Sequence, residues 1–259
     1  MEYYELLEAI YYHGRVVDPR GQETKELRRQ ILEFNNYNFV ATKKARPLEK
    51  VTEYLFAELC WYLSGDRRTE FIIPYAKLWS DIKNHDKTAN SNYGELVYYR
   101  KSSKMTSFEY AYYNLVKDIN TRRGTILYND RAFNYEHNDY ICTQDQQFFI
   151  RDNIFSCDVD LRSSDAIFGL QYNMPWWSIV HQDMLLKLSK HYPDLKLGNV
   201  FVQIKSSHIY KRHYKLIEKI INDDKEYYYV KLLQPILLRN KAEWWQEHIG
   251  EFIKIEKVG

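Results

Sequence analysis

The stretch YICTQDQQFFIRDNIFSCDVDLRS, residues 140–163, decides the fold class. Gln147-Phe148-Phe149-Ile150 leads into Arg151-Asp152-Asn153. Beyond it Phe155, Cys157, Val159 and Leu161 alternate with polar residues as far as Arg162. A period of two is that of a strand with one buried face, and the polar break between the two runs makes them arms of a long hairpin. With the turn centred on Asp152-Asn153, counting back along both arms sets Cys142 opposite Arg162 if the turn holds three residues, or opposite Ser163 if it holds two. Either way a thiol and a guanidinium are neighbours or nearly so.

Upstream, Val51, Tyr54, Leu55, Leu59, Tyr62 and Leu63 recur at helical spacing and Gly65 follows as a stop signal, which predicts a helix from Val51 to Leu63. Glu58 lies on its apolar face, where a carboxylate must be partnered or desolvated. Asp86 to Thr106 reads as a long polar surface loop around Tyr93-Gly94, Phe108 to Ile119 as a helix and Gly124 to Tyr128 as a short strand. Downstream, a helix is expected after Pro175 as far as Leu188, a strand through Val200, Val202 and Ile204, a helical face Ile209 to Ile220, and a final strand Tyr227 to Leu233. Strands and helices mix without a strict βαβ rhythm, repeat or linker. The expectation is one α/β (α+β) domain spanning residues 1–259, a mixed sheet flanked by helices.

Composition narrows the function. Of 259 residues 45% are hydrophobic and 28% charged, the make-up of an ordinary globule. The net charge of +2, with both signs interspersed, gives no electrostatic footprint for nucleic acid and disfavours an RNA-binding role for the many aromatics. No apolar run reaches membrane-span length and Met1 to Glu8 is acidic where a signal peptide is basic, so a cytoplasmic protein is expected. Cys60, Cys142 and Cys157 are an odd, widely spaced set that implies reduced thiols, and the eight histidines lack metal-ligand spacing. Nine glycines leave no Gly-rich phosphate loop, and no Walker, dinucleotide-binding, zinc-protease or nucleophile-elbow motif occurs.

What remains are single residues in unusual settings. Cys142 at a strand start beside a guanidinium is a nucleophile candidate, since a nearby cation favours the thiolate, although an isolated cysteine is most often core filler. Glu58 has a bland alternative as half of a core ion pair, and Arg122-Arg123 as a solvated pair. Arg162-Ser163-Ser164-Asp165 is either a turn or an anion site.

Taken together, Cys142, Arg162-Ser163-Ser164-Asp165, Gly169-Leu170-Gln171-Tyr172-Asn173 and His208-Ile209-Tyr210 resemble the thymidylate synthase superfamily. That family has R-S-x-D, G-x-x-x-N and H-x-Y in this order and spacing, downstream of one nucleophilic Cys. Ala57 to Asp66, Trp79 in Leu78-Trp79-Ser80-Asp81, Tyr93-Gly94 and Arg122-Arg123 extend the likeness over most of the chain. The resemblance implies a homodimer, and one-carbon transfer from 5,10-methylenetetrahydrofolate to carbon 5 of a pyrimidine nucleoside monophosphate. By position it makes Cys142 the nucleophile at carbon 6, Glu58 the proton-transfer group and Tyr93 an assistant near carbon 5. Asn173 would read the base, and His208 and Tyr210 the sugar. Arg162 and Ser163 would hold the phosphate with Arg20, and with Arg122 and Arg123 from the partner subunit. Asp165 would serve both substrate and folate, and Trp79 and Gly169 would line the folate. Arg20 follows the family loop only loosely.

The departures carry information of their own. Synthases follow the nucleophile with His, where Thr143 stands here. The stretch from Ile141 to Asp152, with Asn90 to Gly94 and His208 to His213, is more similar to bacteriophage deoxycytidylate hydroxymethylases. The ending Glu256 to Gly259 does not match the synthase tail. These features favour quenching of the carbon-5 methylene by water rather than hydride. Asn173, where cytidylate enzymes of the family carry Asp, favours dUMP as substrate, with dCMP as the alternative, while ribose against deoxyribose stays open.

Overall fold

The computed structural model describes residues 2–34, 39–129 and 138–258. In chain order the helices and strands are α1 (Tyr3–His13), β1 (Arg15–Val17), β2 (Thr24–Phe34), β3 (Phe39–Thr42), α2 (Leu48–Ser64), α3 (Leu78–Ile82), β4 (Lys101–Ser102), β5 (Met105–Thr106), α4 (Ser107–Lys117), β6 (Thr125–Leu127), β7 (Thr143–Arg151), β8 (Ile154–Leu161), β9 (Ser164–Asp165), α5 (Leu170–Leu188), β10 (Lys196–Tyr210), α6 (Tyr214–Asn222), β11 (Lys225–Leu232), α7 (Ala242–Phe252) and β12 (Ile253–Lys257). The main sheet runs β1-β2-β10-β8-β7-β6, with β9 also pairing with β10. It is mixed: β10 is parallel to β8 and β9, and the other ladders are antiparallel. A second sheet, β12-β11-β3, lies across α5.

The hairpin forms as the alternation requires, with Phe155, Cys157, Val159 and Leu161 fully buried on one face. Its turn holds two residues, Asp152 and Asn153, at φ 51° and 59°, and Arg151 pairs with Ile154. Such a turn alone sets Cys142 opposite Ser163. A bulge between Thr143 and Asp145 shifts the register by one, Thr143 pairs with Leu161, and the Arg162 N–H donates to the Cys142 carbonyl at 3.0 Å. The extra residue therefore selects Arg162 as the neighbour of the thiol.

α5 occupies the centre and is buried on nearly every side, including Trp176, Trp177, His181 and Asp183. It begins at Leu170 rather than after Pro175, which lies inside the helix and leaves the Gln171 carbonyl without its backbone donor, a local cost that the burial of the surrounding helix outweighs. Asn173 thereby joins the first turns of the helix instead of preceding it.

Several other expectations are corrected. α2 starts at Leu48, just after Pro47, and ends at Gly65, whose φ of 66° suits glycine. The polar segment 86–106 lies on the surface only at its ends, where Asp86, Lys87 and residues 101–105 are exposed, and its middle is buried. Ala89, Ser91, Asn92, Tyr93, Leu96, Val97 and Tyr98 are buried, with a π-helical turn Glu95–Tyr99 and the small β4–β5 hairpin within it. Its polar side chains face inward to bind backbone, as Asn92 Nδ2 does by donating to the carbonyls of Trp61 and Asp66, each at 2.9 Å. The strand expected at Val200–Ile204 runs from Lys196 through Tyr210, so Ile209 closes a strand and α6 begins only at Tyr214. Strand pairing with β2 from Val200 to Tyr210 overrides the local helical spacing. Finally, α7 and β12 follow β11, which is not the last strand.

Candidate functional site

The site gathers at one end of the main sheet, where the bulge in β7 opens the ladder. Arg162 uses its fork to clamp the segment carrying the thiol. Nε donates to Ile141 O at 2.9 Å, Nη2 to Tyr140 O at 2.7 Å, and Nη2 lies 3.4 Å from Cys142 Sγ. The guanidinium also stacks 4.5 Å from the Tyr140 ring centroid. Cys142 is half-buried, whereas Cys60 and Cys157 are in the core, where burial pushes their thiols up to about 12. Burial also raises the Cys142 thiol above its ordinary value, and Arg162 is the largest influence pulling it back, with Arg20 adding to it and Asp139 and Asp165 opposing.

Glu58 sits on α2 and is 3% exposed. Among the described residues no basic side chain pairs with it, which speaks against the core ion-pair reading. Burial drives its carboxyl up to about 7, opposed by the hydroxyls of Tyr54 and Tyr62, one turn before and one turn after it. Tyr54 donates to Oε1 at 2.5 Å, while Oε2 is buried and makes no hydrogen bond of ordinary geometry among the described residues. Tyr62 stacks on Tyr93 with centroids 5.4 Å apart, and Tyr93 feels the charge of Cys142, so the two tyrosines span the space between carboxyl and thiol. Tyr93 is 2% exposed and its phenol oxygen accepts from Thr143 Oγ1 at 3.1 Å. This approach to α2 requires Gly94, since a Cβ there would stand 1.6 Å from the Tyr62 carbonyl oxygen.

The loop after β8 shapes the other wall. Asp165 accepts the Ile167 N–H at 2.9 Å, and its carbonyl accepts the Gly169 N–H at 3.0 Å. A Cβ on Gly169 would lie 2.9 Å from that same carbonyl oxygen, so glycine keeps the turn tight. Half-buried Asn173 follows one turn along α5, its N–H donating to Gly169 O at 3.0 Å. His208 pairs with Asp165 across the β9–β10 ladder and Tyr210 lies two residues on, hence on the same face, with their rings edge to face at 5.2 Å. Burial lowers the His208 pKa, with Asp165 the main opposing influence. Ser163 is half-buried beside Arg162.

Trp79 is buried and donates its indole N–H to Tyr54 at 3.0 Å. Arg20, at φ 57° in the turn between β1 and β2, lies near enough to act on the thiol. Arg122 and Arg123 are not brought to this site within the chain. They are exposed ahead of β6, whose register with β7 sets them about seven residues, or roughly 23 Å at 3.3 Å per residue, along the sheet from Cys142. Sequence reasoning passed over Tyr54 and Tyr62 as mere core, although their spacing of four on either side of Glu58 was legible. It also passed over Arg46, which is buried against Gln171, Tyr172 and the ring of Phe168, and Asp139, held by Ser91 N–H and Oγ at 2.7 and 2.6 Å. Nothing local marked those two.

Among the described residues no cluster of three or more His, Cys, Asp or Glu could hold a metal ion, and no helix is long and apolar enough to cross a membrane. A family model described as thymidylate synthase matches residues 1–243. A deoxycytidylate 5-hydroxymethyltransferase of Enterobacteria phage T6 is 27% identical over 211 residues, 78% of this chain and 82% of that protein. A deoxyuridylate hydroxymethyltransferase of Bacillus phage SP01 is 25% identical over 246 residues, 89% of this chain and 61% of that protein. A thymidylate synthase of Coxiella burnetii (strain Dugway 5J108-111) is 25% identical over 260 residues, 97% of this chain and 93% of that protein. With nearly the whole chain matched, this protein belongs to the thymidylate synthase family, whose enzymes transfer a one-carbon unit from methylenetetrahydrofolate to a pyrimidine nucleotide.

Proposed function

We propose that the protein is a hydroxymethylase that converts dUMP into 5-hydroxymethyl-dUMP, residues 1–259 forming one catalytic domain in a cytoplasmic homodimer. The observation that carries the reading is the half-buried Cys142 thiol 3.4 Å from Arg162 Nη2, across a tyrosine pair from a buried carboxyl poised near neutrality. Cys142, as thiolate, adds to carbon 6 of the pyrimidine and turns carbon 5 into a carbon nucleophile. Arg162, Ser163 and Arg20 take the phosphate, Asn173 hydrogen-bonds the base edge, and His208 and Tyr210 bind the sugar. Asp165, through the turn it caps, orders the loop between phosphate and base.

The residues fit a flat aromatic donor. Phe168 leaves a ring 38% exposed beside Asp165 and Gly169, Trp79 and Tyr54 form an aromatic floor, and Glu58 Oε2 is a buried acceptor in want of a donor. 5,10-Methylenetetrahydrofolate, when bound there, supplies the one-carbon unit. With a pKa near 7 Glu58 can both take and return a proton at neutral pH, which suits it to remove the carbon-5 proton and to activate a water. Thr143 donates to the Tyr93 oxygen, so the phenol's own proton is free to point into the site and orient that water. The Thr143 contact, where synthases carry His, supports water rather than hydride as the quencher.

Arg122 and Arg123 are assigned to the partner's phosphate site. Main-sheet residues such as Ile31, 57% exposed, and Ile154, 40% exposed, offer an apolar surface for that partner. A second reading, dCMP as substrate, is favoured by the likeness to the T6 deoxycytidylate enzyme. Incubation with dUMP, dCMP, UMP or CMP and the folate, with products weighed by mass spectrometry, decides between them. Formation of dTMP with dihydrofolate would replace hydroxymethylation by methylation.

A further inference from the structure

We propose that Tyr54 is a positioning residue for Glu58: held by the Trp79 indole, it fixes Oε1 as a permanent acceptor and directs proton traffic through Oε2. The inference rests on the reading above, in which Glu58 works in the site.

The direction of every hydrogen follows from the chemistry of the donors. An indole N–H can only donate, and Trp79 Nε1 lies 3.0 Å from the Tyr54 hydroxyl, so the phenol oxygen is the acceptor there. The phenol has a single proton, and the only other partner of that hydroxyl among the described residues is Glu58 Oε1 at 2.5 Å. The proton must point at the carboxyl. Oε1 is therefore occupied as an acceptor, and a proton arriving on Glu58 settles on Oε2, the buried oxygen that makes no hydrogen bond of ordinary geometry among the described residues and has the Tyr62 hydroxyl nearby.

The surrounding structure holds this chain rigid. Tyr54 and Glu58 are four apart on α2 and so share one face. The Tyr54 ring meets Tyr172 of α5 edge-on at 4.7 Å, and Trp79 meets Trp61 edge-on at 4.7 Å. The titratable groups facing the carboxyl are tyrosines: Tyr54 and Tyr62 from α2 and Tyr172 from α5, which in turn holds the Arg46 guanidinium. Donation from Tyr54 lowers the cost of the carboxylate, and burial keeps Tyr54 itself a neutral donor, with its pKa well above the ordinary phenol value.

The test uses the full chain without ligand. The Glu58 carboxyl band, identified by its loss in Glu58→Gln, is titrated by infrared difference spectroscopy. Tyr54→Phe should move the midpoint upward by about one to two pH units, the size of a hydrogen bond to a charged group. A 3,5-difluorotyrosine placed at 54 keeps the shape and donates more strongly, so it should move the midpoint downward. The acid limb of the kcat/KM profile should follow both shifts. A midpoint unmoved by either replacement overturns the proposal, including where Tyr54→Phe does not fold and the fluorinated chain alone is read. Shifts in the infrared midpoint with no turnover of any pyrimidine nucleotide would instead remove the functional reading and leave the Tyr54 clamp standing.

Discussion

Replacing Arg162 by Gln removes the cation nearest the Cys142 sulfur while keeping a side chain of similar reach. With charges about 4 Å apart, Coulomb attraction between guanidinium and thiolate is about 4 kcal/mol at an effective dielectric of 20 and about 1 kcal/mol in water. The thiol is mostly buried but not sealed from solvent, so the attraction lies between these two limits. At 1.36 kcal/mol per pKa unit, the Cys142 pKa should rise by about one to three beyond a value that burial already holds above the ordinary thiol range. Because only the thiolate reacts, alkylation by iodoacetamide at pH 8 should slow at least about tenfold. Peptide-resolved mass spectrometry isolates the signal, since the two core thiols, at about 12, stay silent. Arg162→Lys keeps the charge but loses the bonds to the Tyr140 and Ile141 carbonyls, and should fall between the two. An alkylation midpoint equal in wild type and Arg162→Gln would refute the electrostatic account of the nucleophile.

Glu58→Gln should raise stability at high pH: a native carboxyl at about 7 against 4.5 holds its proton where the unfolded chain has lost it. Its contribution is fully present below pH 4.5 and is lost as pH rises through 7, a swing of roughly 3 kcal/mol. Urea unfolding at pH 5 and pH 8 should show the variant's advantage widening with pH, and a constant gap contradicts the burial argument. Asn173→Asp should raise the dCMP to dUMP turnover ratio at least about tenfold, because a carboxyl can accept the exocyclic amino hydrogen and, protonated, donate to the ring nitrogen. An unchanged ratio assigns base reading to other groups. Gly94→Ala would set a Cβ 1.6 Å from the Tyr62 carbonyl, a clash that only backbone movement relieves, so a loss above about 3 kcal/mol is expected and thermal melting checks it.

The hairpin, helix α2 with a carboxylate on its buried face, and the family motifs were legible in the amino-acid order alone. Each of these is written in local periodicity or in residues at fixed spacing. Cys142, Arg162, Asp165, Gly169, Asn173, His208 and Tyr210 lie towards one end of the main sheet. Local pattern misled where long-range pairing outweighed it. β10 continues through Ile209 because β2 pairs with it from Val200 to Tyr210, and the middle of the polar segment 86–106 is buried because side chains such as Asn92 satisfy backbone groups of distant residues. Which residue faces the thiol was settled by strand pairing, since the two-residue turn pointed to Ser163 and one bulged residue moved the register to Arg162. Tertiary packing likewise decided the state of Glu58. A helical pattern sets a carboxyl on a buried face with a tyrosine one turn to either side, but its proton affinity depends on how completely other elements bury it and on the Trp79 indole of α3, which orients the Tyr54 hydroxyl.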